Sequence, residues 1–184
     1  MITELIQNRY PKSISLRDKL KVDFRPLKKE DKEILWDFFQ AVPDDDRLFL
    51  KDDVFHKEVI ESWCNNINYE SVFPLLAIHE GKIIGDASLH LQQRTWMRHI
   101  ARIRVVIHPN YRHKGLATAL VGELMDLAKK TDLEILDAEF IAEQESAISA
   151  FLKLGFKKLA QMEQHVIDIA GKPHDFVIMA FDLK

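Results

Sequence analysis

The chain has 184 residues, 47% of them hydrophobic, with 26 Lys and Arg against 29 Asp and Glu and a net charge of -3. That length suits one domain with its own core, and the near balance of charge disfavours a general nucleic-acid or polyanion binder. A single cysteine, Cys64, excludes an internal disulfide framework, and eight histidines without HxxxH or HExxH spacing point to no metal site.

No apolar run reaches the roughly 18 residues that span a membrane, so neither a membrane nor a nucleic acid is an expected partner. The reading is a soluble, cytoplasmic protein with one domain over residues 20–184. Residues 1–19 lack periodicity and read as an extension, an arm or a short helix.

Lys21–Leu27 alternates apolar and polar residues, a strand ending near Pro26. Lys29–Ala41 carries Ile34, Leu35, Phe38 and Phe39 on one helical face, and Pro43 stops it. The segment DDDRLFLKDD reads as a charged loop or capped turn. Val54–Ile67 repeats Val59, Ile60, Trp63, Cys64 and Ile67 at helical spacing, which places Cys64 in the core. Leu75–His79 and Lys82–Leu91 form a hairpin about Glu80-Gly81. Ile100–His108 is a β-branched strand ending at Pro109. His113–Lys130 is a helix, Leu133–Ile141 a strand, and Gln144–Leu154 a helix stopped by Gly155. Phe156–Ile169 and Phe176–Leu183 form a second hairpin around Ala170-Gly171-Lys172-Pro173. The order implies a mixed α/β sheet of about six or seven strands with helices on both faces.

Chemistry concentrates in Ile100–Ala119, where a strand turns through Arg112, His113, Lys114 and Gly115 into a helix opening with Leu116, Ala117 and Thr118. A helix start has free N–H groups and partial positive charge. Gly115 and Ala117 leave room for a diphosphate at that backbone, beside three basic side chains. The other reading of the same residues is a basic turn capping a helix. Neither GxxxxGK[ST] nor GxGxxG is present.

Arg112-x-x-Gly115-x-Ala117 after a strand resembles the acetyl-CoA pyrophosphate motif of the GNAT superfamily of N-acetyltransferases. Glu139–Phe156 resembles that family's second signature, with Ala147-Ile148 and Leu154-Gly155-Phe156 at its offsets. The likeness runs from about Lys21 to the C-terminus and implies a GNAT fold whose sheet splays beside the first-signature strand. Acetyl-CoA would be the acyl donor, its pantetheine pairing with the backbone at Val105, Val106 and Ile107. Its pyrophosphate would lie on the amides of Arg112 to Thr118.

The resemblance further implies transfer of acetyl to a primary amine, of a small molecule or a peptide, by direct attack in a ternary complex, and it leaves a homodimer open. Gln144 stands where many members have Asn against CoA. Phe151 stands where many have a Tyr that protonates the thiolate, which Phe cannot do. Glu139 falls where a strand glutamate acts as general base in some members; the other reading is a strand carboxylate pairing with a cation. A base matters, because an amine of pKa about 10.4 is neutral in roughly one molecule in a thousand at pH 7. Missing its usual acid, the chain also fits a non-catalytic acyl-CoA-binding regulatory module.

Asp44, Asp45, Asp46, Asp52, Asp53, Glu58 and Glu61 cluster where an amine acceptor would enter, or else form a solvated face. His99, His108 and His165 are further acid–base candidates. Of Arg102 and Arg104, one is expected to face solvent or phosphate, the other reading being cross-strand pairing.

Overall fold

In the computed structural model, which describes residues 2–47, 50, 52–92 and 95–184, the chain opens with α1 (Ile2–Arg9), β1 (Lys12–Ser15) and β2 (Lys21–Pro26). It continues through α2 (Lys32–Ala41), the short α3 (Asp44–Arg47), α4 (Lys57–Asn65), β3 (Val72–His79) and β4 (Lys82–Leu91). β5 (Ile100–Ile107), α5 (Leu116–Ala128), β6 (Ile135–Ile141), α6 (Glu145–Lys153), β7 (Lys157–Ile167) and β8 (Pro173–Asp182) complete it. The strands form one eight-stranded sheet in the order β1-β2-β3-β4-β5-β6-β8-β7. Seven of these lie in the segments read as strands from the sequence; the eighth, β1, comes from the segment without periodicity. Its alternation is too short to register, and its partner β2 holds it, Lys12 opposite Phe24 and Ser15 opposite Lys21.

All ladders are antiparallel except β5 with β6, which the crossover helix α5 joins. Alternation along the strands feeds two cores, one on each face. Leu75, Ala77, Ala87, Leu89, Ala101 and Ile103 pack with Leu116, Leu120 and Leu124 of α5, and Phe151 and Phe156 extend the same cluster. Leu76 and Ile83 point the other way and meet Leu35, Phe38 and Phe39 of α2 and Ile60 and Cys64 of α4. Cys64 is thus core, and burial pushes its thiol up to about 11.

Gly85 marks where α5 seats most tightly. An added Cβ would stand 2.9 Å from Leu120 Cδ1 and 3.1 Å from Ile107 Cδ1, so a side chain there would lever helix from sheet. The N-terminal segment is tied to the same helix. Ile6 is in the core, and the buried Glu123 of α5 accepts from Arg9 Nε at 2.6 Å and Lys12 Nζ at 2.5 Å. At the opposite end His174 of β8 lies between Glu143 Oε1 at 2.8 Å and Asp168 Oδ2 at 3.0 Å. Hydrogen bonds to Glu143 and then Asp168 raise its pKa, clamping the β7–β8 hairpin onto the β6–α6 loop. Among the described residues no helix is long and apolar enough to cross a membrane.

Candidate active site

Strand β5 has a different neighbour at each end. Its first residues, Ile100, Ala101 and Arg102, pair with Ile135, Leu136 and Asp137 of β6. Beyond them β5 stays on β4, through Val105 opposite Ala87, Val106 opposite Asp86 and Ile107 opposite Gly85, while β6 stays on β8 through Ile141 opposite Phe176. The sheet therefore splays, and the backbone edge of Ile103–Ile107 that faces β6 has no ladder partner among the described residues. Val105 and Ile107 turn their backbone groups to that edge, whereas those of Val106, between them, face Asp86 on β4. The carbonyl of Ile107 accepts from Arg112 Nε at 3.3 Å.

The splay leads into the start of α5. Gly115 caps the helix at φ 82°, in the left-handed region that glycine adopts without strain, and His113 is also left-handed at φ 61°. Apart from its own chain neighbours, no described protein atom lies within 4 Å of where a Gly115 Cβ would stand. The amides of His113, Lys114, Gly115, Leu116, Ala117 and Thr118 have no hydrogen-bond partner among the described residues. This is the open, amide-lined cradle an anion needs, so the residues present fit a CoA pyrophosphate. The Arg112 amide differs: it closes a 3₁₀ turn on Pro109 O at 3.3 Å. The Arg112 side chain donates to Asp46 Oδ2 at 2.5 Å, which takes one member of the acidic cluster out of the acceptor side.

On the α2/α4 side of β4 and β5 lies a cavity of about 470 Å³. Leu35, Phe39, Trp63, Ile67 and Leu76 supply apolar walls, and Asp86, Ser88, His90 and Arg104 line it from the strands. Asp86 Oδ1 is enclosed and has no hydrogen-bond partner among the described residues. Burial pushes its carboxyl up to about 7, because removal from water disfavours the charged form and no cation offsets that loss. Ser88 Oγ and His90 Nε2 lie 2.9 Å apart. Of the acidic cluster, Asp52 alone among the described side chains lines this cavity, with Oδ2 at 3.6 Å from Arg104 Nη1. The Asp45 side chain, with Leu48, Phe49 and Lys51 of the same segment, lies outside the described residues.

Other expected site residues have partners of their own. Glu139 takes Arg102 Nη2 at 2.6 Å with its side chain 10% exposed, and it does not line the cavity. Gln144 caps α6 and accepts from the Ile141 amide at 3.1 Å. Phe151 is core, 2% exposed, edge-on to Phe140 at 5.0 Å and Phe156 at 4.8 Å between ring centres. His108 caps the Pro109 turn by accepting from the Asn110 amide at 3.2 Å, and burial, with Arg112 and Lys82 nearby, lowers its pKa. His165 stacks on Phe176. None of His99, His108 and His165 lines the cavity; His90 does. Asp86 and His90 do not stand out in the sequence. Their only signal is polar alternation at 86, 88 and 90 in an otherwise apolar strand, which ordinarily marks a solvent face.

The model of the acetyltransferase (GNAT) family matches residues 32–156. The chain belongs to the GNAT family. Over 84 residues it is 23% identical to the L-amino acid N-acetyltransferase AaaT of Escherichia coli, covering 45% of this chain and about half, 52%, of that relative. Among solved structures, Salmonella typhimurium yncA, a putative acetyltransferase determined with acetyl-CoA, superimposes with TM-score 0.75 at 20% identity, over 89% of this chain and 94% of that one. The ribosomal-protein-alanine N-acetyltransferase of Brucella melitensis does so with TM-score 0.74 at 21% identity, over 86% and 98%. These two likenesses carry the GNAT fold.

Proposed function

We propose that this GNAT protein transfers the acetyl group of acetyl-CoA to a primary amine by direct attack within a ternary complex, with Asp86 taking the amine proton. One observation carries the reading: Val106 lies between Val105 and Ile107, whose backbone groups face the splayed edge expected to hold the donor, and directly across the ladder from Val106 is Asp86, lining the cavity on the acceptor side. Donor and acceptor would thus meet at a single strand position.

When bound, acetyl-CoA supplies an activated acyl thioester. The amides of 113–118 hold its diphosphate, and the free backbone edge at Val105–Ile107 orients the pantetheine arm and polarises the thioester carbonyl. Arg112, with its own amide engaged, contributes charge. Gln144 steadies the β6–α6 loop bordering the splay, and Phe151 supports α6 from beneath without donating a proton. A thiol of pKa near 8.5 departs tolerably as thiolate, so the chemistry does not require an acid there.

Glu139 and Asp86 both stand on the face of the sheet that bears the cavity. Glu139 is engaged by Arg102, whereas Asp86 has an unpartnered oxygen and a proton affinity matched to neutral pH. The test measures CoA release over an amine panel at pH 6–9 for the wild type, Asp86→Asn and Glu139→Gln. Loss of about 10²-fold or more in Asp86→Asn alone supports the reading; loss confined to Glu139→Gln moves the base to β6.

A further inference from the structure

The cavity has a polarity pattern that the transfer reaction alone does not demand. Enclosed polar atoms are normally paired, yet three on this face of the sheet have no partner among the described residues: Asp86 Oδ1, Arg104 Nε and Arg102 Nε. Arg102 has its Nη2 on Glu139 and does not line the cavity. That leaves one orphan acceptor and one orphan donor in the same chamber. The ladder sets Asp86 opposite Val106 and Ser88 opposite Arg104, so Asp86 and Arg104 are diagonal neighbours, about 7–8 Å apart at the backbone. A compact ligand bearing a donor and an anionic acceptor close together complements this pair of cavity-lining side chains.

The chemistry of Arg104 sharpens this. A guanidinium binds a carboxylate through parallel N–H groups, and Arg104, which lines the cavity, has no well-formed hydrogen bond among the described residues. The contact from its Nη1 to Asp52, at 3.6 Å, is too long for a good hydrogen bond, and Asp52 is 49% exposed on the rim. The remaining wall, Leu35, Phe39, Trp63, Ile67 and Leu76, offers apolar surface. A polyamine would bring a second cation against a guanidinium and an oily wall. An amine on a peptide N-terminus would bring no carboxylate on the neighbouring carbon.

We propose that the acceptor is a small free amine with a carboxylate on the adjacent carbon and an apolar body, an α-amino acid with a hydrophobic side chain. Arg104 grips its carboxylate while its nitrogen lies towards Asp86. This rests on the acetyl-transfer reading above and adds the substrate class and the residue that selects it.

The experiment measures CoA release by the full chain with L-leucine, L-leucinamide and spermidine, in the wild type, Arg104→Gln and Arg104→Lys, with melting curves for each. Leucine is expected to exceed leucinamide by 10²-fold or more in kcat/KM, since a site built to pair a polar group rejects analogues that lack it. Arg104→Gln should bring the two within about tenfold of each other by raising KM for leucine while KM for acetyl-CoA holds, and Arg104→Lys should keep part of the preference. Leucinamide or spermidine turned over as fast as leucine by the wild type overturns the substrate class and leaves the transfer reading standing. A rise in KM for acetyl-CoA rather than for leucine in Arg104→Gln overturns the role of Arg104. Absence of CoA release with every amine, despite acetyl-CoA binding, overturns the transfer reading and this inference together.

Discussion

Replacing Asp86 by Asn should make the protein more stable and less active, and the two effects share one cause. The folded protein holds the Asp86 proton to about pH 7, against 3.8 for the ordinary carboxyl. That rise corresponds to at most about 4 kcal/mol against the ionised form. The side chain faces a cavity that admits water, so about 1–2 kcal/mol is the working expectation. Between pH 4 and 7 the folded state binds more protons than the unfolded chain, so this group makes stability fall as pH rises through that window and level off above it. Asp86→Asn removes that titration. Its melting temperature should match the wild type near pH 4 and exceed it by roughly 2–8 °C at pH 8, at about 2–4 °C per kcal/mol for a chain of this size. Turnover should fall by about 10²-fold or more, because a neutral amide cannot take a proton. Melts at pH 4.5, 6 and 8 with CoA-release rates on the same samples decide it. A variant no more stable at pH 8 than at pH 4.5, relative to wild type, would refute the buried-carboxylate argument, and turnover within threefold of wild type would refute the base assignment.

Glu139→Gln, by contrast, strands the Arg102 guanidinium and should cost about 1–3 kcal/mol in urea denaturation, with turnover within tenfold of wild type across pH 6–9. Gly115→Asp places a carboxylate in the open space at the start of α5, at a φ of 82°; calorimetry should show CoA affinity down at least tenfold, and unchanged affinity would remove the cradle. Phe151→Tyr, which the family resemblance presents as neutral or beneficial, pushes a hydroxyl into the stack of Phe140 and Phe156. It should lower stability by about 1–3 kcal/mol with no gain in rate, and a faster enzyme with an unchanged melt would mean that the hydroxyl reaches the splay.

The cradle is legible in the sequence because it is local: strand, turn, left-handed glycine and helix start are consecutive in the chain, and their chemistry follows from backbone geometry over about ten residues. The same holds for most helices and strands from β2 onward, whose periodicities locate them to within a few residues, and for Cys64, whose place on an apolar helical face foretells its burial, but not for α1, β1 and the short α3, whose patterns are too weak to register. The acceptor side is different in kind. Asp86 and Arg104 are far apart in sequence, and their apposition depends on the β4–β5 register. Their enclosure depends on α2 and α4 covering the polar-alternating face of β4, which a strand pattern alone assigns to solvent. Whether Glu139 is idle or engaged depends likewise on which cation the β5–β6 pairing brings to it, and whether Phe151 faces the splay or the core on how α6 packs between β6 and β7. Sequence determined most of the elements, the family resemblance and the left-handed glycine at the start of α5, because local backbone chemistry suffices for those. Tertiary packing alone decided which carboxylate is deprived of water and of partners, because desolvation belongs to the assembled layers and to no residue by itself.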